Sequence, residues 1–280
     1  MHQHLDLKYI LKELKDLKNK DMKDDLGQRM KDYENRTRIK LPRRTNTIIR
    51  IDGKAFHSYT VGMEKPFDKI LTNVMDNTTL LLCREIQGAV YGYVQSDEIS
   101  IQLNDYKKIG TDAWFDGNIQ KICSVSASMT TGYFNQYMNS TKYADGLAFF
   151  DARTWSITQM EEVRNYFIWR QKDAVRNSIQ MLARSMYSHK ECNNKNTSEL
   201  QEMCFQKGKN WNDMDAAWKR GRFAYKSMET KTFNVKDMEK FANTGNLVKV
   251  SEDEYMVERM VWKIEAAPDF LKDERADKIW

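Results

Sequence analysis

The chain has 280 residues, of which 41% are hydrophobic, 11% aromatic and 30% charged. That balance excludes a disordered chain, and with no run of about 18 apolar residues no transmembrane helix is expected. A surplus of 45 basic over 40 acidic residues leaves a net charge of +5, which suits a polyanionic partner without requiring one.

The first 25 residues, MHQHLDLKYILKELKDLKNKDMKDD, interleave lysine with acid and lack an apolar core segment. They read as neither a secretory signal nor an Arg-rich transit peptide, so a cytoplasmic location is expected. Leu5, Ile10, Leu11, Leu14 and Leu17 recur at near-helical spacing, which predicts a surface helix followed by a second short helix before RTRIKLPRR. The run TNTIIRID then reads as a buried strand, with Asp52 and Gly53 presenting a carboxylate and a flexible backbone at its end.

From Asp68 to about Gln87, apolar residues at helical period predict a helix. A hairpin follows in VYGYVQSDEISIQL, then a helix over 114–138 and a strand in LAFFDARTWSI. A long amphipathic helix is predicted from Glu161 to Tyr187, and Thr197 or Ser198 is expected to cap a shorter one. WKRGRFAYKS and EYMVERMVWKIE read as short strands. Trp169, Trp211 and Trp218 are expected in the core rather than as stacking platforms. The four cysteines, Cys83, Cys123, Cys192 and Cys204, include no CxxC pair, which favours reduced thiols over disulfides or zinc. Two of the four histidines fall in the first four residues, so histidine-rich metal chemistry is not expected.

The hairpin poses a chemical question, because Ser96, Asp97 and Glu98 sit between two apolar runs. Adjacent carboxylates resist burial unless a cation or hydrogen bonds compensate them. In an order of strand, helix, hairpin, Asp52 and Asp97 can end on neighbouring strands and face one side. Two carboxylates there, with a backbone carbonyl near Gly53, form an oxygen site suited to Mg²⁺ and substrate phosphates. Solvated turn acids would show the same pattern. No GxxxxGK[ST] or post-strand GxGxxG occurs, so phosphates would be held by metal and side chains.

RIDGKAFHSYT, EKPFD, QSDEIS and WRQKDAVRN, in that order, resemble the tRNA-His guanylyltransferase family, and in detail its Thg1-like branch. The resemblance implies an α+β fold with a palm-like antiparallel sheet, helices packed on one face and a helix-rich C-terminal half. It divides the chain into a helical extension over 1–24, a catalytic region over 25–160 and a C-terminal region over 161–280 packed on it as one body.

The activity implied is template-dependent addition of nucleotides to a tRNA 5′ end, in the 3′-to-5′ direction, after activation by ATP or GTP. Asp52, the Gly53 carbonyl and Asp97 would hold two Mg²⁺ ions, with Glu98 as an auxiliary carboxylate. His57, Lys65, Asp68, Ser96 and Lys121 match nucleotide-contacting positions: His57 the one stacking on the base, Asp68 the one bonding its edge, Lys121 one touching the triphosphate. Asn177, Lys190, Asn210, Asn212, Lys219, Arg220 and Arg222 are offered to RNA phosphates, and a dimer of dimers is implied.

WRQKDAVRN departs from the eukaryotic pattern, which has histidine where this chain has Val175 and a longer Asn-rich continuation. That departure favours templated 5′-end repair over addition of a single G to tRNA-His. A palm-fold nucleotide cyclase and a non-catalytic RNA-binding protein are the competing readings.

Overall fold

The computed structural model describes residues 7–234, 247–251 and 254–274. Two compact units divide the chain, residues 1–40 and 41–280. In the first, helix α1 runs unbroken over Leu7–Asn35 where two helices were expected. Nothing between Leu17 and Asn35 breaks it: no proline occurs there, Asp25–Arg29 bridges i and i+4 across Gly27, and Gln28–Asp32 does so in the next turn. Leu5, at the head of the expected helix, lies outside the described residues.

The second unit is built on an antiparallel sheet whose strands β1 (Asn46–Gly53), β2 (Ala89–Gln95), β3 (Glu98–Asn104), β4 (Phe150–Ile157), β5 (Arg222–Asn234), β6 (Leu247–Lys249) and β7 (Glu254–Ala266) stand in the order β4-β1-β3-β2-β5-β7-β6. Their β-branched alternation sets the two faces. Ile49, Ile51, Ile99 and Ile101 point to one face, and Ile48, Tyr91, Tyr93 and Phe223 to the other.

Short α2 (Phe56–Tyr59) follows β1, and α3 (Lys69–Glu85) and α4 (Ile119–Met138) cover the isoleucine face through Val74, Met75, Leu82, Ile122 and Phe134. The palm-like antiparallel sheet is as expected. Its opposite face is covered too, by α5 (Met160–Arg184), which packs Val163, Tyr166 and Phe167 against Tyr91 and Tyr93. This second helical layer follows from β2 and β1 carrying large apolar side chains on both faces, which a one-sided sheet would leave wet. The strands expected in the C-terminal half extend this sheet, since β5 pairs with β2.

Beyond α5 lie α6 (His189–Cys192), α7 (Thr197–Gln206) and α8 (Ala216–Arg220). The cap of α7 is Asn196, in a reciprocal capping box with Glu199, rather than Thr197 or Ser198. WKR closes α8 instead of opening a strand, and β5 and β7 span 13 residues each, longer than expected, since they pair with one another along their whole length. All four cysteines are free thiols. No described helix is long and apolar enough to cross a membrane.

Gly221 joins α8 to β5 at φ 79°, ψ −173°, a region open essentially to glycine alone. A Cβ there would sit 2.7 Å from the Val94 carbonyl oxygen and 2.8 Å from the Tyr93 hydroxyl. Gly221→Ala is therefore expected to cost at least ~2 kcal/mol of stability, read as a lowered urea midpoint. An unchanged midpoint would show that this junction relaxes freely.

Candidate active site

Side chains alternate along β1, so Asp52 projects on the same face as Ile48 and Arg50, toward α5. Asp97 occupies the two-residue turn between the paired Gln95 and Glu98, in which Ser96 adopts a left-handed φ of 48°. Because β1 and β3 are neighbours with Ile51 opposite Ile99, the two acids converge. Burial raises the pKa of Asp97, and the charge of Asp52 raises it further, while the Ser96 hydroxyl offsets part of this. Asp52 is likewise raised, first by burial and then by Asp151 across the β1–β4 ladder, with Arg153 and Arg50 opposing. No described cation is among the groups acting on Asp97.

Gly53 serves the site through its missing side chain rather than through flexibility. A Cβ there would lie 2.2 Å from the Phe56 ring, so only glycine lets Phe56 fold under the end of β1 and set α2, with His57 on it, beside the carboxylates.

These groups line a cleft of about 810 Å³. One wall is the segment from Phe56 to Thr72, a second is the hairpin turn, and the third is one face of α5 carrying Arg170, Asp173, Asn177, Met181 and Arg184. Trp218, Gly221 and Arg222 close it. The expected Asp52, Asp97, Glu98, His57, Lys65, Asp68, Ser96, Asn177 and Arg222 all face this cleft, and Gly53 adjoins it.

Six other candidates do not line it. Lys121 stands exposed on the first turn of α4 above Phe115, Lys190 lies in α6, and Asn210 caps a short 3₁₀ turn by accepting from the Asn212 amide. Lys219 donates to the Asn212 carbonyl at 2.6 Å and Arg220 to that of Ala267 at 3.4 Å. Arg222 is only 6% exposed and donates to Asp76 at 2.7 Å.

Asp68 caps α3 and is already filled. It accepts from the amides of Ile70, Leu71 and Glu64 at 2.8 to 3.0 Å and from the Tyr143 hydroxyl at 2.6 Å, the four bonds a carboxylate can take. Burial would raise its pKa, but the Tyr143 hydroxyl and the amides outweigh this and hold it below the usual range.

Glu98 is engaged by a partner that spacing did not single out. Arg170 donates to it at 2.8 Å and to Asp173 at 2.6 Å, and Arg176 also pairs with Asp173. Arg170 lies within WRQKD, but in sequence it is one more charge on an amphipathic helix. The tryptophans also depart from expectation. Trp169 is 53% exposed beneath the Arg170 guanidinium, 4.2 Å from its ring centre, and Trp218 lines the cleft, stacked on Phe67 at 5.2 Å. Trp211 is partly buried and donates to Ser178. The signal for Trp169 lay in its period, since it shares a stripe with Glu162, Asn165, Lys172 and Arg176, all exposed.

Among the described residues, no group of three or more His, Cys, Asp or Glu side chains gathers as a metal cage. The two-carboxylate oxygen set still fits a hard divalent cation that takes its other ligands from water and phosphate. The Asp97 charge, disfavoured by burial and by Asp52 and only partly offset by the Ser96 hydroxyl, is what such an ion would relieve.

A palm-like sheet presenting two converging carboxylates in an open cleft is an architecture that nucleotidyltransferases share with nucleotide cyclases, and the chain's relatives favour the first. The family model described as Thg1, tRNAHis guanylyltransferase, matches residues 27–158. A bacterial tRNA(His) guanylyltransferase (Thg1)-like protein solved with ATP is 38% identical, with a TM-score of 0.75 covering 90% of this chain and 97% of that one. A second structure of that description, with GTP, gives 38% identity and a TM-score of 0.72 over 91% and 98%. The tRNA(His) guanylyltransferase of Schizosaccharomyces pombe is 27% identical over 82% of this chain and 94% of its own. The chain belongs to the Thg1 family.

Proposed function

We propose that this protein repairs tRNA 5′ ends by adding nucleotides in the 3′-to-5′ direction, each chosen by pairing with the opposite strand. In the first step a 5′-monophosphate oxygen of the RNA attacks the α-phosphorus of ATP or GTP and pyrophosphate leaves. In the second, the 3′-hydroxyl of an incoming nucleoside triphosphate attacks the activated phosphate and the nucleoside monophosphate leaves. The observation that carries this reading is the pair Asp52 and Asp97, both half-buried and lining one cleft large enough for a nucleotide, in a chain 38% identical to proteins solved with ATP and with GTP.

Asp52, the Gly53 carbonyl and Asp97 would hold Mg²⁺, which when bound lowers the pKa of an attacking hydroxyl and neutralises charge on the reacting phosphate. Asp97 can serve in this way only as the carboxylate, which burial disfavours, so ionisation and metal binding are coupled. His57 and the Phe67–Trp218 stack offer flat surfaces for a base. Asp68, with its four acceptor positions used, shapes the loop that presents backbone groups to the base edge. Arg222 would meet only a phosphate that enters the cleft.

Incubation with Mg²⁺, ATP, all four nucleoside triphosphates and a 5′-monophosphorylated tRNA lacking its first nucleotide is expected to extend the RNA by the base complementary to the opposite strand. Addition of G opposite any base, and only on tRNA-His, would establish the maturation activity instead. An RNA left unextended would sink both.

A further inference from the structure

A second, smaller cavity opens where α5 ends. It measures about 180 Å³ and is ringed by Arg184, His189, Lys195, Asn193 and Asn194. Its remaining wall is Cys192 and Leu200, both buried, which fix the α6–α7 loop against the end of α5. No acidic side chain lines it. The two nearest glutamates are tied elsewhere: Glu191 accepts from the Ser188 amide and hydroxyl at 2.8 and 2.6 Å, and Glu199 accepts from the Asn196 amide at 2.8 Å. Lys195 reaches Glu199 at 3.4 Å across an exposed pair, a contact too weak to hold Lys195 back from a phosphate. Arg184 and His189 have no hydrogen-bonding or ion-pair partner among the described residues.

Gln180 and Arg184 line this cavity and the reaction cleft alike. One face of α5, stepping through Asp173, Asn177, Gln180 and Arg184 at helical spacing, therefore runs from the cleft to the second cavity, with Gln180 and Arg184 bordering both. Arg170 and Arg184 are 14 positions apart, about 21 Å along the helix. Convergent cations and amide donors around a small concave space recognise a phosphate group. Arg170 holds Glu98 at the hairpin, and that rise along α5 exceeds what one triphosphate spans, so a longer polyanion laid along the helix is the ligand that would reach the cavity.

We propose that this cavity binds a backbone phosphate of the RNA, a few nucleotides from the reacting 5′ end, and so sets the strand's register along α5. The inference rests on the RNA substrate proposed above. Register set this way needs no base contact, which suits an enzyme that accepts many sequences.

The test uses the full chain with His189→Gln and Lys195→Gln combined, since neither residue lines the reaction cleft, and Lys195→Arg as the charge-keeping control. Binding of 5′-monophosphorylated truncated tRNA is followed by fluorescence anisotropy across salt concentrations, and ATP binding is measured in parallel. The double variant is expected to bind the RNA roughly tenfold more weakly, with a salt dependence shallower by about one phosphate contact. ATP affinity and melting temperature should stay as in the wild type, and Lys195→Arg should bind the RNA as the wild type does. Unchanged RNA affinity and salt slope would overturn the proposal while leaving the repair reading intact. Weakened ATP binding with RNA binding unchanged would assign the cavity to a free nucleotide's phosphates, and so overturn it as well. If the wild-type protein neither binds nor extends tRNA, the repair reading falls and this inference falls with it.

Discussion

Asp97→Asn is expected to abolish nucleotide addition, by at least ~10³-fold, and at the same time to raise the melting temperature of the metal-free protein. The loss follows from removing one of two carboxylates through which a divalent cation would act on the reacting phosphate. The gain follows from burial, which disfavours the Asp97 charge, and from Asp52, whose like charge disfavours it further. A gain of ~1 kcal/mol would move the midpoint by about 2–4 °C in a domain of this size.

The sign of the pH dependence is fixed by the direction of the shifts. Asp52 and Asp97 both have raised pKa values in the folded state. The stability they contribute is present in full below the unfolded value near 3.9 and is lost as pH rises through the folded one. The metal-free wild type therefore loses this stability as pH rises, and its deficit against Asp97→Asn should grow from about pH 4 upward and level off above the folded-state pKa. Added Mg²⁺ should raise the wild-type midpoint at pH 7, raise it less in acid, and leave the variant nearly unmoved. A variant that keeps activity within tenfold would remove Asp97 from the metal site. One that melts lower than wild type at pH 7 would show that the buried charge is compensated after all.

Arg170→Ala carries the largest expected loss of stability, roughly 3–5 kcal/mol, or about 10 °C in the melting temperature. The Arg170 side chain is 6% exposed and that of Glu98 12%, so removing the guanidinium strands a buried carboxylate. The pKa of Glu98 is already raised by burial, and Arg170 is the main group lowering it. Asp173 loses its inner partner in the same step. Pairing Arg170→Met with Glu98→Gln should recover much of the loss, because the penalty comes from the unpaired charge more than from the missing attraction. Thermal melts of both singles and the double close the cycle. An Arg170→Ala melting point within 2 °C of wild type would mean that water reaches Glu98.

Much of the catalytic centre was legible because its parts are local. RIDG is a β-branched run ending in an acid, and QSDE is a two-residue turn between alternating runs. Strand, helix and hairpin in that order leave few ways to place Asp52 and Asp97 other than side by side. The face of α5 that borders the cleft was legible as helical period but not as function. A period shows which residues share a side of a helix, and it does not show what that side meets.

What the amino-acid order determined by itself is most of the elements and the two acids near the ends of candidate strands, since these rest on periodicity and short-range turn chemistry, while the palm-like class followed from the resemblance that RIDG and QSDE carry. The tertiary structure alone decided that α5 closes the second face of the sheet, that Arg170 neutralises Glu98 from 72 residues away, that Tyr143 and three amides consume Asp68, and that Trp169 and Trp218 stand outside the core. Those outcomes depend on which distant side chains meet once the layers pack, and a charge, a ring or a carboxylate takes its partner and its pKa from that meeting rather than from its neighbours along the chain.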